Sequence, residues 1–203
     1  MEYPSKLVER AVMEIAKLPG IGKKTALRLV LHLLREEEQE TSELAEALTT
    51  LRKDIRYCRT CHMIADAEDC TCEGPHRDTT VVCVVESTTD IMAINNTAQY
   101  QGYFHVLGGV ISPIEGIGPD DIHIDSLIKR IQIPGSAIKE VILALSPTME
   151  GDTTAFYIAK KLKPLGVKIS TISRGIPLGG ELEYVDELTL GRSIATRINY
   201  DIE

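Results

Sequence analysis

Apolar positions recur at helical spacing through the first third of the chain. Leu7, Val8, Ala11, Val12 and Ile15 share one face of a predicted helix over residues 5–17. Pro19-Gly20 breaks that helix, and after Gly22 a second helix over residues 25–34 places Ala26, Leu29, Val30 and Leu33 on one side. Glu36-Glu37-Glu38 marks an exposed end. Thr41-Ser42-Glu43 starts a third helix, expected to bury Leu44, Ala47, Leu48 and Leu51.

The pattern changes after Asp78. The β-branched run 79–85 predicts a buried strand, and 87–95 reads as a short helix. A strand over 103–107 leads into Gly108-Gly109 and a Gly- and Pro-rich loop ending at Pro119. Then come a helix over 120–131, a strand over 140–145, a helix over 152–162, a strand over 167–172 and a last helix near 189–198. Strands that alternate with helices predict an α/β domain, a Rossmann-like parallel sheet covered by helices. The chain thus divides into a helical region (1–56), a Cys-rich stretch (57–78), an α/β domain (79–173) and a glycine-rich, acidic C-terminal segment with a helix (174–203).

Composition narrows the function classes. The chain has 203 residues, 43% hydrophobic and 26% charged, enough for one or two real cores. Its longest purely apolar run is about five residues, against roughly 20 for a membrane-spanning helix, so a membrane span is excluded. No basic-then-apolar signal opens the chain, which points to a cytoplasmic protein. In that compartment five Cys point to a metal site before disulfides. With no Trp, two Phe and seven Tyr, a surface that stacks many bases is disfavoured. The net charge of -8 conceals an asymmetry. Residues 1–35 carry seven basic and three acidic side chains, a net of +4, which leaves -12 for the remainder. A basic head on an acidic body can hold nucleic acid locally while the body repels it.

Three motifs carry chemistry. In Leu18-Pro19-Gly20-Ile21-Gly22-Lys23-Lys24, two glycines permit a tight turn and leave amides exposed at a helix N-terminus, where the dipole attracts phosphate. Gly20, Gly22, Lys23, Lys24 and Arg28 are the candidate DNA contacts, and the string resembles a helix-hairpin-helix motif. Second, Cys58-x2-Cys61 followed by Cys70-x-Cys72 can surround one tetrahedral Zn²⁺ in a closed, structural site. The short second spacing strains chelation, so Asp69 competes with Cys70 as third ligand, with His62 and His76 in reserve; Cys83 belongs to the core. Third, Glu86 and Asp90 follow the first sheet strand, and Glu150 and Asp152 follow the third, at the strand C-termini where parallel sheets place their sites. Carboxylates so placed can hold Mg²⁺ for phosphoryl transfer, and the arrangement resembles the Toprim fold of topoisomerases and primases. Ser146 and Thr148 stand where the Toprim Asp-x-Asp pair follows its strand, which weakens catalysis and favours a surface for a basic partner.

Taken in order, hairpin, Cys knuckle, Toprim-like domain and glycine-rich tail resemble the RecR family of bacterial recombination mediators. Supporting strings are Pro75-His76-Arg77-Asp78, Tyr103-Phe104-His105-Val106-Leu107-Gly108-Gly109, Ser112-Pro113, Gly116-Ile117-Gly118-Pro119 and the run from Arg174 to Tyr184. The Cys-x-Cys spacing and Asp152, where the family usually carries Glu, depart from the pattern. The resemblance implies a non-enzymatic mediator of recombinational repair. It would act at single-strand gaps with RecO and RecF and help load the recombinase on DNA coated with single-strand binding protein. It also implies dimers and ring-shaped tetramers that encircle duplex DNA, with single-stranded DNA as a further ligand and a nucleoid-associated location. Lys23, Lys24 and Arg28 would face DNA. Glu86, Asp90, Glu150 and Asp152 would engage RecO, and a Walker-B-like tail would cross to a neighbouring subunit. The tail lacks an accompanying Gly-x4-Gly-Lys loop, which argues against ATP hydrolysis. The alternative is a Mg²⁺-dependent Toprim nuclease or strand-transfer enzyme.

Overall fold

The computed structural model describes residues 3–66, 76–177 and 179–198. The chain forms two compact units, Met1–Ile55 and Arg56–Glu203.

The first unit holds α1 (Lys6–Ile15), α2 (Lys23–Leu33) and α3 (Glu38–Asp54). Ser5 starts α1 by accepting the Leu7 amide at 3.1 Å. Between α1 and α2 the chain turns through Gly20 at φ +77, a conformation that disfavours side chains with a Cβ. The two helices close on Val12, Ala26 and Val30, with Val8, Ala11, Ile15 and Ile21 packed around them. Leu7 and Leu29, assigned to this face by periodicity, are exposed instead, because the seam between two short helices is narrower than the stripe. The third helix departs further from expectation. It begins at Glu38, inside the acidic run, where Glu38 and Glu40 complement the positive end of the helix dipole. It buries no residue: Leu44, Ala47, Leu48 and Leu51 are all exposed. The stripe exists, but nothing within this unit covers it.

In the second unit, β1 (Arg56–Tyr57) and β2 (Ile64–Ala65) form an antiparallel ribbon too short to leave a period in the sequence. The sheet that follows is parallel and four-stranded, in the order β4-β3-β5-β6, with β3 (Asp78–Val85), β4 (Gly102–Val106), β5 (Glu140–Leu143) and β6 (Lys168–Thr171). Alternation along β3 explains its two-sided burial. Val82 and Val84 join Leu107, Leu127, Ile158 and Leu162 in one core. Cys83 and Val85 join Ile91, Phe104 and Val106 in the other, which places Cys83 in the core as expected.

Helix α4 (Thr88–Asn96) starts at a capping box between Ser87 and Asp90. Caps also correct the predicted helix starts. Asp121 spends its carboxylate on the Gly118 amide at 2.7 Å, so α5 (Ile124–Gln132) begins after that turn. Thr148 accepts the Gly151 amide at 3.0 Å, so α6 (Met149–Leu162) begins earlier than its apolar stripe. Asp186 accepts the Thr189 amide at 2.8 Å and likewise advances α7 (Glu187–Ala195). No helix among the described residues is long and apolar enough to cross a membrane.

The turn into α6 admits no side chain at Gly151, where a Cβ would lie 2.0 Å from the Ser146 carbonyl oxygen. Gly151→Ala should lower stability by about 2 kcal/mol or more in urea unfolding, as overpacking against backbone does. Gly191→Ala, in a helix with open space around the position, should be neutral or stabilising by up to about 1 kcal/mol.

Candidate functional site

The hairpin gathers all five of its predicted contact residues in one short segment. Gly22 is the N-cap of α2, with φ -80 and no side chain to cap the helix. The amides of Lys23, Lys24 and Thr25 therefore lack the cap partners that a Ser or Asp would supply. Lys23, Lys24 and Arg28 are exposed around them, and the first turn has no acidic residue. A Cβ at Gly20 or Gly22 would meet nothing within 4 Å. The backbone angle at Gly20 accounts for that glycine, but the φ of Gly22 suits any residue. The expectation that both glycines serve the turn is thus corrected: neither the backbone angle nor the space at Gly22 requires a glycine. Uncapped amides, a positive dipole end and exposed cations are groups able to hold phosphate.

The cysteine site is built on the β1–β2 ribbon. Cys58 and Cys61 are buried at its tip, where the Cys58 amide donates to the Met63 carbonyl at 2.9 Å and the His62 amide to the Cys58 carbonyl at 2.9 Å. The Thr60 amide donates to the Cys58 sulfur at 3.3 Å, and His62 takes a positive φ of 58 to close the turn. Burial alone would raise the Cys58 thiol, but amides of Cys61 and Thr60, the Cys61 side chain and the charge of Arg130 together hold it below its usual value. Burial pushes the Cys61 thiol up to about 11. A turn that aims an amide at sulfur suits a thiolate ligand, so these two residues fit half of a tetrahedral thiolate site. Cys70, Cys72 and Asp69 lie outside the described residues. Among the described residues no cluster of three or more ligating side chains forms. His76 is exposed.

His62, held in reserve as a ligand, is engaged elsewhere. Its ring stacks on His123 at 3.6 Å between centroids, and its Nε2 bonds the Ser126 hydroxyl at 2.8 Å. His105 lies edge-on to it at 5.3 Å and bonds the His123 carbonyl through Nε2 at 2.8 Å. Burial drives His105 down to about 3, and burial with the charges of His123 and Arg130 takes His62 to about 4. This imidazole cluster left no sequence signal, because its members lie far apart along the chain.

The four acidic residues are mostly committed within the fold. Glu86 Oε1 accepts the Ser146 amide at 2.8 Å and ties the end of β3 to the start of the β5–α6 turn. Asp90 accepts the Ser87 amide at 2.8 Å and its hydroxyl at 3.0 Å. Asp152 pairs with Arg174 through both guanidinium nitrogens, and the hydrogen bonds and charge of Arg174 hold its carboxyl below the usual range. Asp152 and Arg174 line a cleft of about 670 Å³ that also takes in Gly151, Ile172, Asp186 and Arg192. The Glu150 side chain has no hydrogen-bonding or ionic partner among the described residues, and the residue is half-buried. The ion pair with Arg174 was not legible in the sequence.

Burial of His105 has a pH consequence. A folded-state value depressed from 6.5 to about 3 means that the unfolded chain binds one more proton between those limits. The stability this supplies is present above pH 6.5 and is lost as the pH falls. In NMR titration the His105 ring should stay neutral down to pH 5. Urea unfolding at pH 5.5 should show this residue contributing about 1 kcal/mol less than at pH 7. Titration of His105 near 6.5 would contradict its burial.

Three family profiles match segments of the chain. Residues 8–52 match the family profile described as RecR, helix-hairpin-helix. Residues 80–173 match the Toprim domain, and residues 175–198 match the profile described as RecR, C-terminal. A recombination protein RecR of Cytophaga hutchinsonii is 63% identical over 202 residues, covering 99% of this chain and 98% of the relative. Recombination protein RecR of Phocaeicola vulgatus is 57% identical over 97% of this chain and 95% of its own. That of Amoebophilus asiaticus is 57% identical over 98% of this chain and 100% of its own.

Proposed function

The chain belongs to the RecR family of recombination proteins, and from that premise we propose that it is a non-enzymatic, DNA-binding mediator of recombinational repair. In this reading it binds duplex and single-stranded DNA at gaps without reading sequence. It acts there with RecO and RecF, and helps load the recombinase onto DNA coated with single-strand binding protein. The observation that carries the reading is the uncapped α2 N-terminus with Lys23, Lys24 and Arg28 around it and open space at Gly22. Contacts of that kind grip the phosphate backbone, and their affinity falls steeply with salt. The same chemistry recognises no base, as a protein acting at gaps of any sequence requires.

Self-association into dimers and a tetrameric ring is supported by the uncovered stripe of Leu44, Leu48 and Leu51, at 47%, 60% and 58% exposure. Apolar rows of this kind on a helix are normally covered by a partner. Copies joined in a ring would add weak backbone contacts into one strong grip. One structural Zn²⁺ on Cys58, Cys61, Cys70 and Cys72 would close the knuckle, with Asp69 as the alternative to Cys70. Of the four candidate acidic residues, Glu150 is the one without a side-chain partner among the described residues, and it is the first to examine for RecO docking. Asp90 and Asp152 already serve a helix cap and an ion pair, which favours docking and structure over a Mg²⁺-dependent nuclease.

Two experiments test this function. End-labelled gapped DNA incubated with Mg²⁺ should shift on a native gel and remain intact on a denaturing gel. Gly22→Ala should fold normally but bind more weakly. Lys23→Glu with Arg28→Glu should abolish the shift at moderate salt. Where residual binding is measurable, the slope of log affinity against log salt should shrink by about 0.9 for each phosphate that is no longer neutralised. Unchanged affinity at low salt would remove the hairpin from the DNA site, and cleaved strands would make the protein an enzyme. Separately, Leu48→Glu should lower the molar mass measured by light scattering to that of a smaller assembly. An unchanged mass would remove α3 from the interface.

A further inference from the structure

Among the described residues, Arg130 is a buried cation without an anionic partner. It lies on α5 at 7% exposure, on the helix's apolar side beside Leu127 and Ile131. Its Nη1 donates to the Phe104 carbonyl at 2.8 Å, and its guanidinium carbon sits 5.1 Å from the centroid of the Tyr103 ring. Its Nη2 has no hydrogen-bond partner, and no carboxylate among the described residues pairs with it. A buried charge is retained when an opposite charge or a full set of acceptors compensates it. Carbonyl and ring supply part of that, and one edge of the guanidinium is left over.

Two tethers bracket the missing anion's position. The outer edge of β4 takes the Phe104–Arg130 bond, and two residues further on the Val106 amide donates to the Cys61 carbonyl at 2.8 Å. Adjacent edge positions of this kind are about 7 Å apart along a strand. On α5 itself Ser126, one turn before Arg130, bonds the ring of His62, the residue after Cys61. The Cys58–Cys61 turn is therefore fastened on both sides of Arg130. The turn so fastened carries the buried Cys58 and Cys61, and four thiolates around Zn²⁺ would carry a net charge of about -2.

We infer that Arg130 is the positioning residue that neutralises the thiolate metal cluster of the knuckle. The inference rests on the zinc reading proposed above and adds to it a charge partner from outside the cysteine stretch. Arg130 is not a ligand. It lowers the electrostatic cost of gathering thiolates in a buried site, as outer-shell partners of metal ligands do. The same pairing would couple the metal to the sheet, because the Arg130 guanidinium also bonds the Phe104 carbonyl of β4.

The test uses the full chain, loaded with one Zn²⁺ or stripped of it, and reads metal release to a chromogenic chelator together with thermal unfolding. Arg130→Met should release Zn²⁺ at roughly 10- to 100-fold lower chelator activity, the range for loss of an outer-shell partner. It should melt below wild type when loaded, and at or above wild type when stripped, because stripping leaves the wild-type cation without its anion. Equal destabilisation in both states would mean that Arg130 only packs, and would overturn the inference. If Arg130→Met does not fold, Arg130→Lys against Arg130→Gln decides. The lysine variant should hold Zn²⁺ more tightly, and equal affinities would overturn the inference. A wild-type chain that takes up no Zn²⁺ overturns the zinc reading and this inference together. A wild-type chain that holds Zn²⁺ no better than its variants overturns this inference alone.

Discussion

Strand β4 ends the parallel sheet, yet its residues are among the most deeply buried in the second unit: Phe104 and His105 are wholly inaccessible. A buried strand edge must find hydrogen-bond partners or lose several kcal/mol for each orphaned group. No fifth strand supplies them among the described residues. The outer edge is closed instead by the Cys61 carbonyl at Val106 and by the Arg130 guanidinium at Phe104. That requirement fixes where the knuckle sits, why α5 carries an arginine on its apolar side, and why three histidines crowd the junction.

With β4 closed in this way, the functional features fall at the other places a parallel sheet leaves open. The C-terminal ends of β3 and β5 carry Glu86 and the turn into α6, joined by the Glu86–Ser146 bond. Gly151 lets the α6 turn approach Ser146 closely, and Asp152 then meets Arg174 beyond β6. What in a Toprim enzyme would be free carboxylates is here largely spent on holding the turn, the cap and the start of the tail. The first unit works on a different principle. Its three helices share only a small core between α1 and α2, and its candidate site lies on the backbone at the start of α2 rather than in any buried side chain.

The uncovered leucines of α3 and the solitary cation of α5 illustrate two kinds of incompleteness. The leucines lack an apolar partner on the outside of a unit. Among the described residues, Arg130 lacks an anion on the inside of one. In each case the missing partner is defined by physical chemistry before it is identified: a second apolar face for the first, a compact negative cluster for the second.

The sequence by itself determined the order of the helices and of the four sheet strands, the parallel α/β class, the helical hairpin and its cations. Those are set by periodicity, by turn residues and by charges adjacent along the chain, all of which are local. It also placed Cys58 and Cys61 together, because residues three apart are close in any turn. Helix starts were legible only where caps and stripes coincide; at Thr148 and Asp186 the cap advanced the helix beyond its apolar pattern. The exposure of α3 was not legible, because an amphipathic stripe records that a partner is needed but not which body supplies it. The histidine stack, the Asp152–Arg174 pair and the meeting of Arg130 with the edge of β4 were decided by tertiary structure alone. Their members are separated by about 20 residues or more, and only the closing of the sheet brings them within hydrogen-bonding distance.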